Sequence, residues 1–216
     1  PFSYTLLAFV YRDAGDFGKA DMYFRKSIEA SNQINDSTYI HTALHEIGNI
    51  YNLNDDMSKA VDYHKQALAI RKKDNNVNHL LYSYHDIALD YEKMDSLQVA
   101  LSYILKAEKL AKQLNEKWML FNIFRTTSGL YTKLNEFDTA EKYLEQSEQL
   151  ANDLNMKSVY FNLYNEYYNY YKSTNQYKDA LLSHELAMAY KDSVSNEEIQ
   201  KNISELDKKY DSAKKD

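Results

Sequence analysis

The sequence predicts an all-α fold, an array of five 40-residue helix hairpins followed by a C-terminal helix, and three observations predict it. Breakers are scarce: 4 Gly and 1 Pro in 216 residues leave too few turns for an all-β or loop-rich chain. The chain also repeats itself. Written in blocks of forty from Pro1, His41, Leu81, Phe121 and Phe161, one column reads Tyr11, Tyr51, Tyr91, Tyr131, Tyr171 and another Ala20, Ala60, Ala100, Ala140, Ala180, both without exception. Finally, each block holds two amphipathic stretches. In the second block Leu44, Ile47 and Tyr51 recur at helical steps, and after a break so do Val61, His64, Ala67, Leu68 and Arg71.

The break inside each block is a tight turn. Gly15, Asp55, Asp95, Asn135 and Asn175 are residue types that tolerate the left-handed conformation closing a helix. Phe17, Met57, Leu97, Phe137 and Tyr177, two positions later, are expected to tuck under the hairpin. Between blocks a second turn uses Asn35-Asp36-Ser37, Asn75-Asn76, Asn115-Glu116 and Asn155-Met156 to leave one helix and cap the next. The Ala column lets the second helix approach the first, and a larger residue there would cost about 1 to 3 kcal/mol by overpacking. The Tyr column is the matching bulk, a wide apolar ring whose hydroxyl reaches the edge of the stack. A further column, Tyr23, Tyr63, Tyr103, Tyr143, lapses at Ser183, and Leu7, Ile47, Ile87 lapse to Thr127 and Tyr167.

The fifth block carries an aromatic cluster, Tyr160, Phe161, Tyr164, Tyr167, Tyr168, Tyr170, Tyr171 and Tyr177, which reads either as packing against the last helix or as an exposed contact patch. After Tyr190 the repeat stops, and Ser195-Asn196-Glu197-Glu198 offers a capping box for one more helix. Ile199, Ile203, Leu206 and Tyr210 then form a narrow stripe of the kind that begins a coiled coil, able to cap the array or to join two copies in a homodimer. The organisation is therefore repeats over 1–190, in units 1–40, 41–80, 81–120, 121–160 and 161–194, and a capping or linking helix over 195–216.

Composition narrows the function. With 26 basic against 32 acidic residues the net charge is −6, which disfavours direct nucleic-acid binding. Without Cys there is no disulfide framework, thiolate metal site or thiol nucleophile. His41 and His45 stand four apart, a chelating spacing that lacks a local third ligand, so neither metal nor cofactor is expected. No phosphate loop, nucleophile elbow or catalytic triad is visible, and this region is read as non-enzymatic. Apolar runs such as Leu6-Leu7-Ala8-Phe9-Val10 fall far short of the roughly 20 residues a membrane span needs. The start at Pro1, without a leader, reads as a piece of a longer protein.

Tyr4-x-x-Leu7-Ala8-x-x-Tyr11, then Gly15-Asp16-Phe17-x-x-Ala20-x-x-x-Phe24-x-x-Ser27, resembles the tetratricopeptide repeat, and Leu44-x-x-Ile47-Gly48-x-x-Tyr51 to Ala60-x-x-x-His64-x-x-Ala67 repeats it. The family's usual Trp is replaced by Tyr4, Leu44, Tyr84, Phe124 and Tyr164, and the period is 40 where the common form has roughly 34. The resemblance implies a right-handed superhelical solenoid whose first helices line a concave groove holding a protein or peptide. Its long repeats look like those of bacterial peptide-sensing regulators and some cargo adaptors. The segment from Ile203 to Lys215 looks like the stretch joining such repeats to a transmembrane helix in membrane-tethered histidine kinases and transcription regulators. On that likeness the region is a sensory domain at the periplasmic face of a membrane, anchored and given its output domain by segments downstream; a soluble cytoplasmic adaptor is the alternative.

First-helix positions free of the packing pattern are the groove candidates: Tyr82 and Asn122 in one column, His45, His85, Arg125 and Asn165 in the next, then Asn49, Asn169 and Asn52 one turn on. Amides, imidazoles and a guanidinium can hydrogen-bond a peptide main chain or a carboxylate. The competing reading is a hydrated surface without a ligand. The acids Glu46, Asp86 and Glu166 beside the column argue against the dicarboxylate clamp of chaperone-binding relatives. Replacing Arg125 and Asn165 by Ala is expected to weaken partner binding without loss of stability.

Overall fold

The computed structural model describes residues 1–34, 36–74 and 76–213, without the side chains of Asp74, 197–200 and 202–213. Ten helices are described, with no strand among the described residues: α1 Phe2–Asp13, α2 Phe17–Gln33, α3 Thr38–Leu53, α4 Met57–Asp74, α5 Val77–Lys93, α6 Leu97–Leu114, α7 Lys117–Lys133, α8 Phe137–Leu154, α9 Lys157–Ser173 and α10 Tyr177–Ala213. They form two compact units, Pro1–Glu116 with α1 to α6 and Lys117–Asp216 with α7 to α10. The 40-residue period is spent on length: α6 and α8 have 18 residues each, about 27 Å of helix at 1.5 Å per residue.

Every hairpin turns on the residue expected. Gly15, Asp55, Asp95, Asn135 and Asn175 all have positive φ, between 55° and 78°. In the first turn the Gly15 N–H reaches the Arg12 carbonyl at 2.9 Å and the Asp16 N–H reaches back to Tyr11 at 2.9 Å, the paired closure of a Schellman motif. The same backward bond ends on Tyr51, Tyr91, Tyr131 and Tyr171. Between blocks Asn115 and Asn155 are also left-handed, and the Asn76 side chain caps α5 by accepting from the His79 N–H at 3.2 Å; Asn35 and Asn75 lie outside the described residues.

Ala20, Ala60, Ala100 and Ala140 are fully buried and Ala180 nearly so. In the first unit Ala8, Ala20, Phe24, Ala43, Ile47 and Ile50 form one core, and in the second Phe121, Ala140, Leu144, Val159 and Leu163 anchor another. The two Tyr columns meet each other. Tyr11 lies flat on Tyr23 with centroids 5.4 Å apart, Tyr51 on Tyr63 at 5.4 Å, Tyr91 on Tyr103 at 5.8 Å and Tyr131 on Tyr143 at 5.7 Å. Offset rings of this kind contribute about 0.5 to 1.5 kcal/mol beyond their buried area.

Two expectations are corrected. Tyr177 is 65% exposed instead of tucked under its turn, its hydroxyl donating to Asn175; Phe137, in the same column, is covered by Tyr170 of the next hairpin, whereas no helix follows α10 among the described residues. And no helix begins at Ser195, because α10 runs through it for 37 residues. Without Gly or Pro between Tyr177 and Ala213 nothing breaks the helix, so a capping box there has no free N-terminus to cap. The side chains of the Ile199, Ile203, Leu206 and Tyr210 stripe, and residues 214–216, lie outside the described residues.

Candidate functional site

In the first unit, small and large residues pair across each hairpin: Ala8 faces the Phe24 position and Ala88 the Ile104 position, all buried. In the second hairpin that pair is Gly48 and His64. A Cβ on Gly48 would stand 2.4 Å from Cδ2 of the His64 ring, so the glycine is what admits an imidazole there. The third member is Asp90, in a column otherwise held by Val10, Ile50, Leu130 and Tyr170. Its Oδ2 accepts from His64 Nδ1 at 2.5 Å, and the two residues are only 2% and 1% exposed. Three departures from the repeat's own pattern thus touch one another at the heart of the unit.

The network spreads from this pair. His64 Nε2 meets Asn49 Oδ1 at 3.2 Å, Asn52 donates its amide to Asp90 Oδ1 at 2.5 Å, and Lys93 donates to Asn52 at 2.5 Å. Beside it Asp86 lies 3.7 Å from His45 Nε2 and 3.3 Å from His85 Nδ1. The buried Arg71 donates to Ser83 at 2.7 Å and toward His41 at 3.4 Å, and the His41 ring lies 5.0 Å from that of His79. Of the 6 histidines only His184 is elsewhere. Among the described residues no three His, Asp or Glu are placed to hold a metal. A cavity of about 250 Å³ opens over this network, lined by Asn49, Asn52, Leu53, His64, Asp86 and Asp90 among others.

The candidate residues are therefore placed unevenly. His45, Asn49, Asn52 and His85 come together, half-buried and held by partners, while Tyr82 is exposed on the same α5 helix. In the second unit Asn122 donates to the carbonyl of Trp118 in its own helix, Asn165 is half-buried and Asn169 exposed. Arg125 does not stand free: its Nη1 lies 3.6 Å from the buried Glu166 carboxylate, whose Oε1 in turn covers Gly129. Arg125→Ala would remove that pairing, so a loss of stability beside any loss of partner binding is expected, read by urea unfolding of the variant. The central pair His64 and Asp90 lay outside the candidates because both occupy columns held mostly by apolar residues, His64 sharing its column with Phe24, Ile104, Leu144 and His184; reading each column for its polar exceptions would have found them.

Burial holds His45 below the ordinary histidine range. Asp86 and Glu46 pull it up, while Arg71 and His64 add to the depression. For Asp86, burial alone would raise the pKa, but the His85 hydrogen bond and the fields of His45, His85 and His64 outweigh it and leave the carboxyl below its usual value. Both contributions have the same sign. The stability linked to His45 is complete above its unfolded value of 6.5 and is lost as the pH falls through the lower folded one, and that linked to Asp86 follows below 3.8. The chain is thus expected to unfold at lower urea at about pH 5 than at about pH 7.5, with a shallower slope in His45→Asn; identical slopes would show that His45 does not contribute.

The profile of the tetratricopeptide repeat matches residues 2–73 and again 39–113, more than half of the chain. The chain belongs to the tetratricopeptide repeat family. Such repeats are protein-binding scaffolds. Among solved structures the tetratricopeptide chain is similar to BtubC (BKLC) from P. vanneervenii, with TM-score 0.72 and 16% identity over 89% of this chain and 80% of that one. It is also similar to a Rap protein complexed with Competence and Sporulation Factor (TM-score 0.71, 16% identity, 87% of this chain) and spans about half, 52%, of that protein. A putative kinesin light chain of Podosopora anserina matches at TM-score 0.67 and 18% identity over 89% of this chain and 95% of its own. At these identities the likeness is one of fold. No curated protein matches the sequence.

Proposed function

We propose that this tetratricopeptide region is the protein- or peptide-binding sensory domain of a bacterial signal-transduction protein, a two-component sensor kinase or a membrane-bound regulator, with the ligand held on the first-helix face. The observation that carries the reading is the cavity over Asn49, Asn52 and Asp90, where amides are fixed by buried partners before any ligand arrives. Preorganised donors and acceptors lose little freedom on binding, so a main chain laid across them keeps most of its hydrogen-bond energy. The Rap structure supports the partner-binding part of the reading, since a protein of the same fold is complexed there with Competence and Sporulation Factor. No helix among the described residues is long and apolar enough to cross a membrane. The reading therefore places the anchor downstream, an apolar span of about 20 residues, with this domain on the periplasmic side and the last helix as a homodimer contact. The kinesin-light-chain likeness favours a second reading, a soluble cytoplasmic adaptor, which needs no such span.

Peptides selected from a random display library against the full chain provide the test. Tyr82, 43% exposed on α5, can be truncated without disturbing the network, and Tyr82→Ala together with Asn49→Ala is expected to weaken the selected peptides by tenfold or more, roughly the size of an aromatic hot spot. Thermal unfolding of the same variants checks that they are folded. Peptides that bind wild type and both variants alike would overturn the placement of the groove.

A further inference from the structure

The fifth hairpin breaks the aromatic pattern at a single place. In the first four, a second-helix Tyr lies against the first-helix Tyr; in the fifth that position is Ser183, buried at 6% exposure, and among the described residues the Tyr190 ring of α10 meets Tyr160 and Tyr164, with none from α10 on Tyr171. Tyr167, standing where other repeats have Leu7, Ile47 or Ile87, takes part of the space. Its ring is 5.6 Å from Tyr171 and 6.4 Å from Tyr164. A cavity of about 300 Å³ remains, walled by these three rings and Ser183, with the carboxylates of Glu148 and Asp179 at its edge.

The first three hairpins show what such rings accept in this protein. Lys19 lies 5.0 Å over Tyr11 and Lys59 5.0 Å over Tyr51, and Lys106 lies 4.7 Å over Tyr103. In the fifth repeat the Lys19 and Lys59 column holds Asp179, and the Lys106 column holds Leu186. Lys172 sits over Tyr168, which does not line the cavity. The fourth hairpin also lacks Lys in these columns, with Thr139 and Gln146, so what sets the fifth apart is the carboxylate of Asp179 beside the rings of Tyr167 and Tyr171, while Tyr164 is itself stacked on Tyr190 at 5.7 Å. Glu148 is fixed there by the Tyr167 hydroxyl, which donates to it at 2.7 Å.

We propose that this cavity receives the side chain of an arginine presented by a partner polypeptide, the guanidinium stacked on the Tyr rings and paired with Glu148 and Asp179. A planar, weakly hydrated cation with donors at its edge fits π faces beside carboxylates, which a neutral side chain does not exploit. The site rests on the partner-binding reading of the fold but shares no residue with the first-unit groove.

N-acetyl-arginine amide titrated into the full chain, followed through the methyl signals of Leu182 and Leu186 at the cavity, tests it. Saturable shifts are expected in the millimolar range, with the neutral isostere N-acetyl-citrulline amide binding at least roughly tenfold more weakly and added salt reducing the difference. Glu148→Gln with Asp179→Asn should remove the preference for arginine. Ser183→Tyr, which restores the ring of the other repeats, should abolish binding while the thermal midpoint is kept or raised. Equal binding of arginine and citrulline, no saturable shift, or undiminished binding in Ser183→Tyr would overturn the proposal. Groove-selected peptides that ignore Tyr82 and Asn49 would sink the sensory reading alone, since the arginine titration reads a separate place.

Discussion

Asp90→Ala is expected to lower the stability of the chain by about 3 to 5 kcal/mol, whereas His64→Leu combined with Asp90→Leu leaves it as stable as the parent or more so by up to about 4 kcal/mol. Truncating Asp90 strips the His64 imidazole and the Asn52 amide of their acceptor inside a core where neither residue of the pair exceeds 2% exposure. Replacing both members removes two desolvated polar groups at once. The leucines have precedent in the molecule: Leu144 fills the His64 position of the fourth hairpin and Leu130 the Asp90 position, both fully buried. Gly48 sharpens the test, because its exchange for Ala collides with the His64 ring and should be harmful alone. With His64 replaced by Leu the same exchange should become neutral or favourable by up to about 1 kcal/mol of helix propensity. Urea unfolding of the single and combined variants reads all of these. A double variant as unstable as Asp90→Ala would mean the pair is a net support of the fold. If it is stable, the pair is kept for what it orients, and the variant should lose the peptides that the parent selects.

The same contrast explains what could be seen in the residues alone. Hairpins, turns and the close-packed Ala positions were legible because each is enforced locally and five times over: a left-handed residue is needed wherever two antiparallel helices join tightly, and Gly15, Asp55, Asp95, Asn135 and Asn175 fill the need. The polar network was not, because it joins residues from different blocks, Asn49 and Asn52 of α3, His64 of α4 and Asp90 of α5, at positions where the repeat itself predicts apolar packing. Column reasoning places a side chain on a face but does not say which partner it finds across it. For that reason Arg125 looked available although Glu166 lies 3.6 Å away on α9. The unbroken α10 escaped for the opposite reason, since a local start signal at Ser195 was outweighed by uninterrupted helix on both sides.

Ala100→Leu carries the second large effect, expected as a loss of about 1 to 3 kcal/mol, or more where the backbone cannot yield. Ala100 is fully buried in the first turn of α6, and its N–H donates to the Ser96 carbonyl at 3.0 Å, so the side chain cannot swing clear without undoing the helix start. The methyl sets how closely α6 approaches α5, the distance at which Tyr91 lies 5.8 Å from Tyr103. Three extra carbons there must part the helices or force a strained rotamer, and parting them would also separate the stacked rings. A mere loss of contact area would behave otherwise: Ala100→Gly removes one carbon and should cost about 1 kcal/mol through propensity and lost packing. The informative comparison is Ala69→Leu, on the exposed side of α4, which adds the same atoms with no expected loss. If Ala100→Leu and Ala69→Leu unfolded at the same urea concentration, the invariant alanines would not be the spacers of the hairpin.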